Sequence, residues 1–495
     1  MPRPRPAPAA ALGLEERLWR AADTLRGQLE PSAYKHLVLG LFFLQACAAP
    51  GCPLEVPEEA RWPRLRALAE GPGLAGALDA ALLAIESRNV TLHGCLRPVF
   101  VASGIDEGRL ADLVRGLDGA LALGVGGPGG EADAAGRIYE YLLSKFATAE
   151  GRGGEYYTPG GLVRLLVALI EPLSGVVYDP CCGTGGMFVQ SVRFQVAHGR
   201  RAGDVQVFGQ ESNETTWRMA RVNLALRGIS ASLGAAAKDT LSVDLHPGLQ
   251  ADFVLANPPF NVSDWGGARL RGDPRWAFGP PPVGNANFAW LQHIAHHLGP
   301  GGQAAVILAN GSMTGRTGGE AELRRSLVEA DLVDCMVALP DLLFTNTPIP
   351  ACVWILHRDK AAALDRDRRG ELLFIDARGL GRLEGRASRV LDPVDVERVA
   401  QVYRAWRRRP AEVEEGAAPA YVDLPGFCRS ASRAEVAAND FGLNPGRYVG
   451  AEAPEAEGAP FLERAGALAA ELRAQQAAAQ ALDRRIEQTL AAWGL

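Results

Sequence analysis

The sequence predicts an α/β protein built on a doubly wound, mostly parallel sheet. Three observations carry that prediction. From about Gly136, short apolar runs alternate with helical segments. One early run, VVYD at 176–179, enters a glycine-rich turn that opens a helix. Polar residues then stand at the ends of the runs that follow, where open sheets of this kind bind ligands.

Taken in order, MPRPRPAPAA lacks the apolar core of a secretion signal, and residues 1–12 read as a disordered leader. Residues 13–123 read as a helical domain. Leu14, Leu18, Ala21, Ala22 and Leu25 share one helix face, and further helical stretches span 62–82 and 110–121. GVGGPGG at 124–130 marks a boundary, with a linker over 124–135. A long surface loop is the alternative. The region 136–450 then carries the strands: 176–179, VQVFGQE at 205–211, a third ending near Lys238 and Asp239, ADFVLAN at 251–257 and QAAVILAN at 303–310. LVDCMVAL at 332–339 and ACVWILHR at 351–358 are joined by a short proline-containing loop, which permits a terminal antiparallel pair. Residues 451–495 read as a linker and a long amphipathic helix. Leu468, Leu472, Ala479, Leu482, Ile486 and Trp493 form a narrow apolar seam on it. The seam suits a coiled-coil contact with a partner or packing onto its own domain. Its alanine content and the preceding linker favour the partner.

Composition excludes several classes. The longest early apolar run, LVLGLFFL at 37–44, is far shorter than the roughly 20 residues that span a bilayer. Eight cysteines in 495 residues with no Cys-x-x-Cys pair form no disulfide framework and point to reduced thiols in a cytoplasm. Cys47 and Cys52 lack a following ligand pair at zinc-finger spacing. Net charge is −6, so the chain as a whole is not a basic surface, and phosphate contacts fall to local patches or a partner.

The chemistry centres on DPCCGTGG at 179–186. Gly183, Gly185 and Gly186 let backbone approach a ligand, and the helix start near Gly186 offers unpaired N–H groups. The spacing is neither G-x-G-x-x-G nor a phosphate loop with its lysine. Asp179, at the strand end before Pro180, can take a hydrogen bond from an ammonium group. That suits the amino-acid end of S-adenosylmethionine better than a pyrophosphate. Glu211 ends the second strand and can accept both ribose hydroxyls, while Asp239 ends the third and can bind an adenine amine. Each could instead cap the next helix; in sequence at successive strand ends they support one another.

The sharpest motif is Asn257-Pro258-Pro259-Phe260, after the fourth strand. An adenine amine is a weak nucleophile because its lone pair is delocalised. The Asn257 side-chain carbonyl and the Pro258 main-chain carbonyl can hold its hydrogens in a tetrahedral arrangement, with the prolines fixing direction. Phe260 can stack on a base swung out of a duplex. A strand stopped by prolines beside a core phenylalanine is the bland alternative; the upstream glycines and acids favour catalysis. Upstream, Glu155, Tyr156, Tyr157, Thr158, Pro159 and Gly160 can lean over the cofactor's methionine end, or Thr158 can cap a helix with Pro159 at its first position. His293, His296 and His297 share one predicted helix with the apolar face Trp290, Ile294 and Leu298, but no third metal ligand lies nearby in sequence. Arg407 to Arg409 could touch DNA, but a solvated helix end is the favoured reading.

These stretches in order resemble the modification subunits of type I restriction–modification systems, of the N6-adenine DNA methyltransferase group. LWRAADTLRG, YKHLVLGLFFL and VPEEARW resemble their N-terminal helical domain. GEYYTP, DPCCGTGGMF and LANPPFN resemble their cofactor and catalytic motifs. GNANFAWLQHI, LANGSM, LFTNTPIPACVWIL, LLFIDAR, GFCRSA and LNPGRYVG resemble the later parts. The resemblance implies a class I S-adenosylmethionine-dependent methyltransferase fold with a seven-stranded sheet over 136–450. It implies S-adenosyl-L-methionine held by the 157–159 turn, the 184–186 turn and Glu211. The target adenine would be held by Asn257 to Phe260, with no metal in the transfer. It also implies double-stranded DNA as substrate and a separate specificity subunit, two modification subunits to one. A restriction subunit joins in the full complex. One departure stands out: only QACAAPGCPLE separates the FFL helix from VPEEARW, where the family has a longer insertion. The Asn-Pro-Pro-aromatic chemistry alone would also serve cytosine N4, RNA adenine or a protein glutamine amide. The helical domain and the C-terminal seam favour the DNA-methylating subunit.

Overall fold

The computed structural model describes residues 31–49, 51–117, 136, 139–143, 145–146, 158–344, 349–361, 366–384, 388–408, 420–451 and 461–492. Strands β1 (Gly175–Asp179), β2 (Val205–Gly209), β3 (Ala231–Ser232), β4 (Ala251–Ala256), β5 (Leu298–Ala309), β6 (Val333–Ala338), β7 (Ala351–His357), β8 (Glu371–Asp376) and β11 (Cys428–Ser432) form one sheet. Its order is β11-β8-β6-β7-β5-β4-β1-β2-β3. The pairs β1–β2, β1–β4, β2–β3, β4–β5 and β6–β8 are parallel, and β7 is antiparallel to both β5 and β6. The doubly wound α/β fold with its terminal antiparallel pair is therefore present. The expected seven strands become nine, because β8 and β11 extend the edge beyond β6; LLFIDAR and GFCRSA supply those strands. A separate two-stranded pair joins β9 (Arg382–Glu384) to β10 (Ser388–Val390).

The interior strands are mostly apolar because both faces are covered. Successive residues serve opposite faces. Val177, Ala305, Ile307 and Val353 pack under α5 (Gly160–Ile170), α6 (Gly186–Ala197) and α10 (Pro393–Arg407). Tyr178, Ala304, Val306 and Trp354 pack under α8 (Asn287–His297) and α9 (Glu320–Glu329). From β1 the chain winds outward to β2 and β3, then returns to β4 on the other side. The carboxyl ends of β1 and β4 flank that reversal, where open sheets leave a crevice.

The helical region contains α1 (Pro31–Ala46), α2 (Trp62–Leu68), α3 (Leu74–Arg88) and α4 (Glu107–Leu117). The helix expected over 62–82 is broken, because Gly71-Pro72-Gly73 intervenes and Gly73 sits at φ 86°. The core of this region includes Met219, Val222 and Leu226 of α7 (Glu214–Ala225) and its end, while Trp217, Ala220 and Leu224 of α7 face the sheet. One helix thus belongs to two cores. The leader, the 13–25 helix face, the 124–135 linker and Trp493 lie outside the described residues.

By contact density the chain divides into two units, 1–449 and 450–495. In the second, α11 (Phe461–Ala492) runs for 32 residues, and Leu468, Leu472, Leu482 and Ile486 of the expected seam are all more than half exposed. Among the described residues, no helix is long and apolar enough to cross a membrane.

Candidate active site

A cavity of about 340 Å³ opens at the β1/β4 reversal, lined by Thr158, Gly160, Asp179, Pro180, Gly183, Thr184, Gly186, Glu211, Asp239, Asn257 and Pro259, among others. Most of the residues singled out in the sequence are thus brought to one cleft. Glu155, Tyr156 and Tyr157 lie outside the described residues. Pro159, Gly185, Pro258 and Phe260 do not line the cavity wall.

The floor is the bend between β1 and α6. Gly183 and Gly185 take φ 54° and 83°, the left-handed region where a side chain is strained. Gly185 is the N-cap of α6 and brings no side-chain cap, so the first-turn amides at Gly186 and Met187 are left for a ligand. Asn223 of α7 clamps the bend by donating to the Thr184 carbonyl at 2.8 Å.

Asp179 is 2% exposed and accepts the Cys181 N–H at 3.0 Å. Burial pushes its carboxyl up to about 7; the Cys181 hydrogen bonds oppose this and the Glu211 charge adds to it. Glu211 lies two residues past β2. It accepts the Gly183 N–H at 3.0 Å and the Asn213 N–H at 2.8 Å. The cap of α7 is Asn213, whose side chain accepts from Thr216, so Glu211 is not a helix cap. The Ser212 hydroxyl donates to Glu211 as well, at 3.2 Å.

Asp239 does not end a strand. β3 stops at Ser232, and Asp239 sits in the loop beyond, exposed at the cavity rim. Gln210 fixes this loop, donating to the carbonyls of Lys238 and Val243 at 3.1 and 2.7 Å and accepting from Leu245 at 3.1 Å. Thr240 donates to the Pro180 carbonyl at 2.5 Å, and Arg275 donates to the Thr240 and Leu241 carbonyls at 2.9 and 2.5 Å.

Asn257 follows β4 directly. Its amide N–H donates to the Thr158 hydroxyl at 2.9 Å, and its carbonyl oxygen is buried with no partner among the described residues. Thr158 therefore orients the Asn257 side chain. The N-cap position of α5 falls to Pro159, with no side-chain cap hydrogen bond, which sets aside the capping role for Thr158. An orphaned buried acceptor is costly unless something donates to it. Phe260 is packed in the core with its ring edge-to-face against Phe344, centroids 5.5 Å apart.

Among the lining residues that sequence reasoning missed are Lys35, Glu140, Thr240 and Trp290. Trp290 was read only as part of an apolar helix face, yet its buried indole N–H has no partner among the described residues. It can donate to a ring nitrogen. Lys35 left a signal: a lysine, with His36 beside it, immediately precedes the apolar run LVLGLFFL.

The histidines do gain a third neighbour. Asp244, distant in sequence, brings its oxygen within 4.8 Å of the His293 and His297 nitrogens. Each nitrogen already has a protein partner. His293 meets the Tyr178 hydroxyl at 3.0 Å and Arg275 at 3.1 Å. His297 meets Asp244 and the Leu249 carbonyl, both at 3.0 Å. Burial, then the His297 and Arg275 charges, hold His293 well below the usual histidine range, so it accepts from Arg275 and donates to Tyr178. Burial raises Asp244, but the His297 and His246 hydrogen bonds outweigh it and leave it below the usual carboxylate range. Leu298 begins β5 and does not continue the helix. Arg407 turns inward to the Gln303 side chain at 3.1 Å and is not simply solvated.

This architecture has relatives. Residues 130–457 match the N-6 DNA Methylase family, and residues 14–50 match the HsdM N-terminal domain. The chain belongs to the N-6 DNA Methylase family. It is 42% identical to the type I restriction enzyme HindI methylase subunit of Haemophilus influenzae, over 89% of this chain and all of that one. It is 30% identical to the MjaIX methylase subunit of Methanocaldococcus jannaschii, over 90% and 85%. Its fold matches that of the type I restriction-modification methyltransferase subunit from Streptococcus thermophilus with a TM-score of 0.72, at 24% identity over 88% of this chain and 99% of that one. Within this N-6 DNA Methylase chain, DPCCGTGG and NPPF occupy adjacent strand ends of the sheet.

Proposed function

We propose that this chain is the modification subunit of a type I restriction–modification complex, methylating adenine N6 in double-stranded DNA with S-adenosyl-L-methionine. The observation that carries the reading is the buried, unpartnered carbonyl of Asn257, held by Thr158 at the mouth of an acid-lined cleft. The residues present fit the cofactor. Asp179 faces its ammonium group, Glu211 its ribose hydroxyls, Asp239 its adenine amine, and the Gly183–Gly186 bend lets backbone approach closely. Thr158 and Gly160, which line the cavity, adjoin the methionine end. When bound, the cofactor supplies a methyl group on a positively charged sulfur.

The rest of the work falls to the chain. Asn257 and the Pro258 carbonyl each take one N6 hydrogen, which draws the nitrogen lone pair out of conjugation and aims it away from both acceptors. Pro258 and Pro259 keep those carbonyls from turning. Phe260 offers a face to the extruded base once its contact with Phe344 opens. The specificity subunit reads sequence, in keeping with a net charge of −6, and the exposed seam of α11 is the surface for a partner helix. The restriction subunit joins in the complete assembly.

The test is single-molecule sequencing of DNA from cells carrying the system, with wild-type or Asn257→Ala protein. We expect N6-methyladenine at one bipartite motif, lost in the variant. A methylome unchanged by the substitution counts against the role of Asn257. Strong methylation by the purified chain without a specificity subunit counts against the division of labour.

A further inference from the structure

The loop that carries Asp239 and Thr240 into the cleft is held from the side of the catalytic motif. Arg275 lies in the irregular stretch 257–286, which leads from NPPF to α8, and it is 5% exposed. Asp273, two residues back, accepts its backbone N–H at 3.0 Å, its Nε at 2.8 Å and its Nη2 at 2.7 Å. That fork neutralises the arginine and fixes the plane of its guanidinium. The other N–H groups are thereby aimed at main chain and ring. Nη1 donates to the Thr240 carbonyl at 2.9 Å and to His293 at 3.1 Å, and Nη2 donates to the Leu241 carbonyl at 2.5 Å. Every N–H of the guanidinium therefore has an acceptor.

One of these bonds reaches the cleft through a single peptide unit. The Thr240 carbonyl and the Leu241 N–H share one rigid plane and point opposite ways in it. Arg275 holds the oxygen of that plane, and the N–H at the other end donates to the Asp239 carboxylate at 3.2 Å. Pinning the oxygen sets the direction of the donor, and the donor sets the carboxylate. Thr240 and Leu241 are 2% and 1% exposed, so their carbonyls depend on Arg275 for a donor. Asp239 and Thr240 line the cavity, and Arg275 stands behind them. The clamp is anchored on the sheet, because His293 of α8 meets the hydroxyl of Tyr178, the residue before Asp179 on β1, at 3.0 Å.

We propose that Arg275 is a positioning residue for the adenine of the cofactor: through the Thr240–Leu241 peptide it aims the Asp239 carboxylate at the exocyclic amine. The inference rests on the cofactor reading above, in which Asp239 takes that amine. It makes the stretch that follows the catalytic motif part of cofactor binding.

The test uses the purified full chain and two ligands, S-adenosylhomocysteine and its 6-deamino analogue, in which hydrogen replaces the exocyclic amine. Dissociation constants are measured by calorimetry for wild type, Arg275→Met, Asp239→Ala and the double variant. Misdirecting a hydrogen bond to a charged acceptor predicts that Arg275→Met weakens S-adenosylhomocysteine by about tenfold or more. The deamino analogue, already weaker on wild type, should change by no more than about twofold, and Arg275→Met should add no more than about twofold to the loss in Asp239→Ala. An arginine that only packs the wall would weaken both ligands alike or add its full loss to that of Asp239→Ala, and either result overturns the assignment. So does wild-type affinity in Arg275→Met. If Arg275→Met fails to fold, Arg275→Lys replaces it, since an ammonium keeps the charge without the planar fork. S-adenosylhomocysteine should then weaken by about threefold or more while the analogue holds within about twofold; an equal change in both, or none, overturns the proposal. Wild type that binds the two ligands alike overturns the role of Asp239 and this proposal with it, and leaves the cleft as the cofactor site. Wild type that binds neither overturns the cofactor reading as well.

Discussion

Replacing Asp179 by asparagine should stabilise the ligand-free protein at pH 8 while weakening its affinity for the cofactor. The carboxyl is 2% exposed, and burial lifts it from 3.8 to about 7. In the unfolded chain it ionises near 3.8, so between that pH and 7 the folded state binds the extra proton. Stability from this group is fully present below 3.8, is lost as pH rises through 7, and is flat above. A difference of about 3 units at 1.36 kcal/mol each puts the cost of the buried charge at about 4 kcal/mol at pH 8. Asparagine keeps an acceptor for the Cys181 N–H but buries an amide donor with no acceptor assigned to it, a cost of about 1–3 kcal/mol. The net gain is then about 1–3 kcal/mol, a rise of a few °C in melting temperature. By about pH 5 the gain should vanish, because part of the wild-type penalty is absent there.

The assay is thermal melting of both proteins from pH 4 to 8, with S-adenosylhomocysteine binding measured in parallel. Wild-type affinity should tighten from pH 6 to 8, as the carboxylate that receives the ammonium becomes charged. The variant should lose at least about tenfold in affinity with no such slope. Parallel stability profiles for the two proteins, or a variant that melts lower at pH 8, would refute the reasoning. Either result would mean that Asp179 is not a buried charge held for a ligand.

Asn257→Ala should lower the methyl-transfer rate by at least about a hundredfold, measured with tritiated cofactor and a specificity subunit, and leave S-adenosylhomocysteine affinity within about threefold. Trp290→Phe keeps an aromatic side chain, smaller than the indole, and removes the orphaned N–H. Affinity for S-adenosylhomocysteine should fall about five- to tenfold, and a deaza analogue lacking the accepting nitrogen should show no further loss; an equal loss on every deaza analogue would assign Trp290 to packing alone. Asp244→Asn removes the charged acceptor of the buried His297 ring and should cost about 1.5–3 kcal/mol in urea unfolding. Zinc should not shift wild-type melting, since Tyr178, Arg275 and Leu249 occupy the other ring nitrogens; a zinc-dependent rise would make the three groups ligands.

What the sequence made legible was whatever depends on chain-local geometry. A glycine run after an apolar strand, or Asn-Pro-Pro at a strand end, is a statement about a few consecutive residues. The fold leaves those residues where the pattern put them: Gly183 and Gly185 at positive φ, Asn257 directly after β4. Asp239 shows where this stops. Its position was read as a strand end, but β3 has only two residues, and the loop is placed by Gln210 and Thr240, contacts made across the fold. The same holds for Thr158. Locally it reads as a helix cap, and only the approach of β4 turns its hydroxyl to Asn257, 99 residues away. Asp244 was invisible as a neighbour of His293 and His297 for the same reason. Lys35 is the intermediate case. A lysine in an apolar helix announces that it must be neutralised or paired once buried, and the sequence says nothing of the partner. The fold brings it from α1 to the cavity wall, so in this chain local pattern identifies the chemistry and long-range packing decides which residues take part.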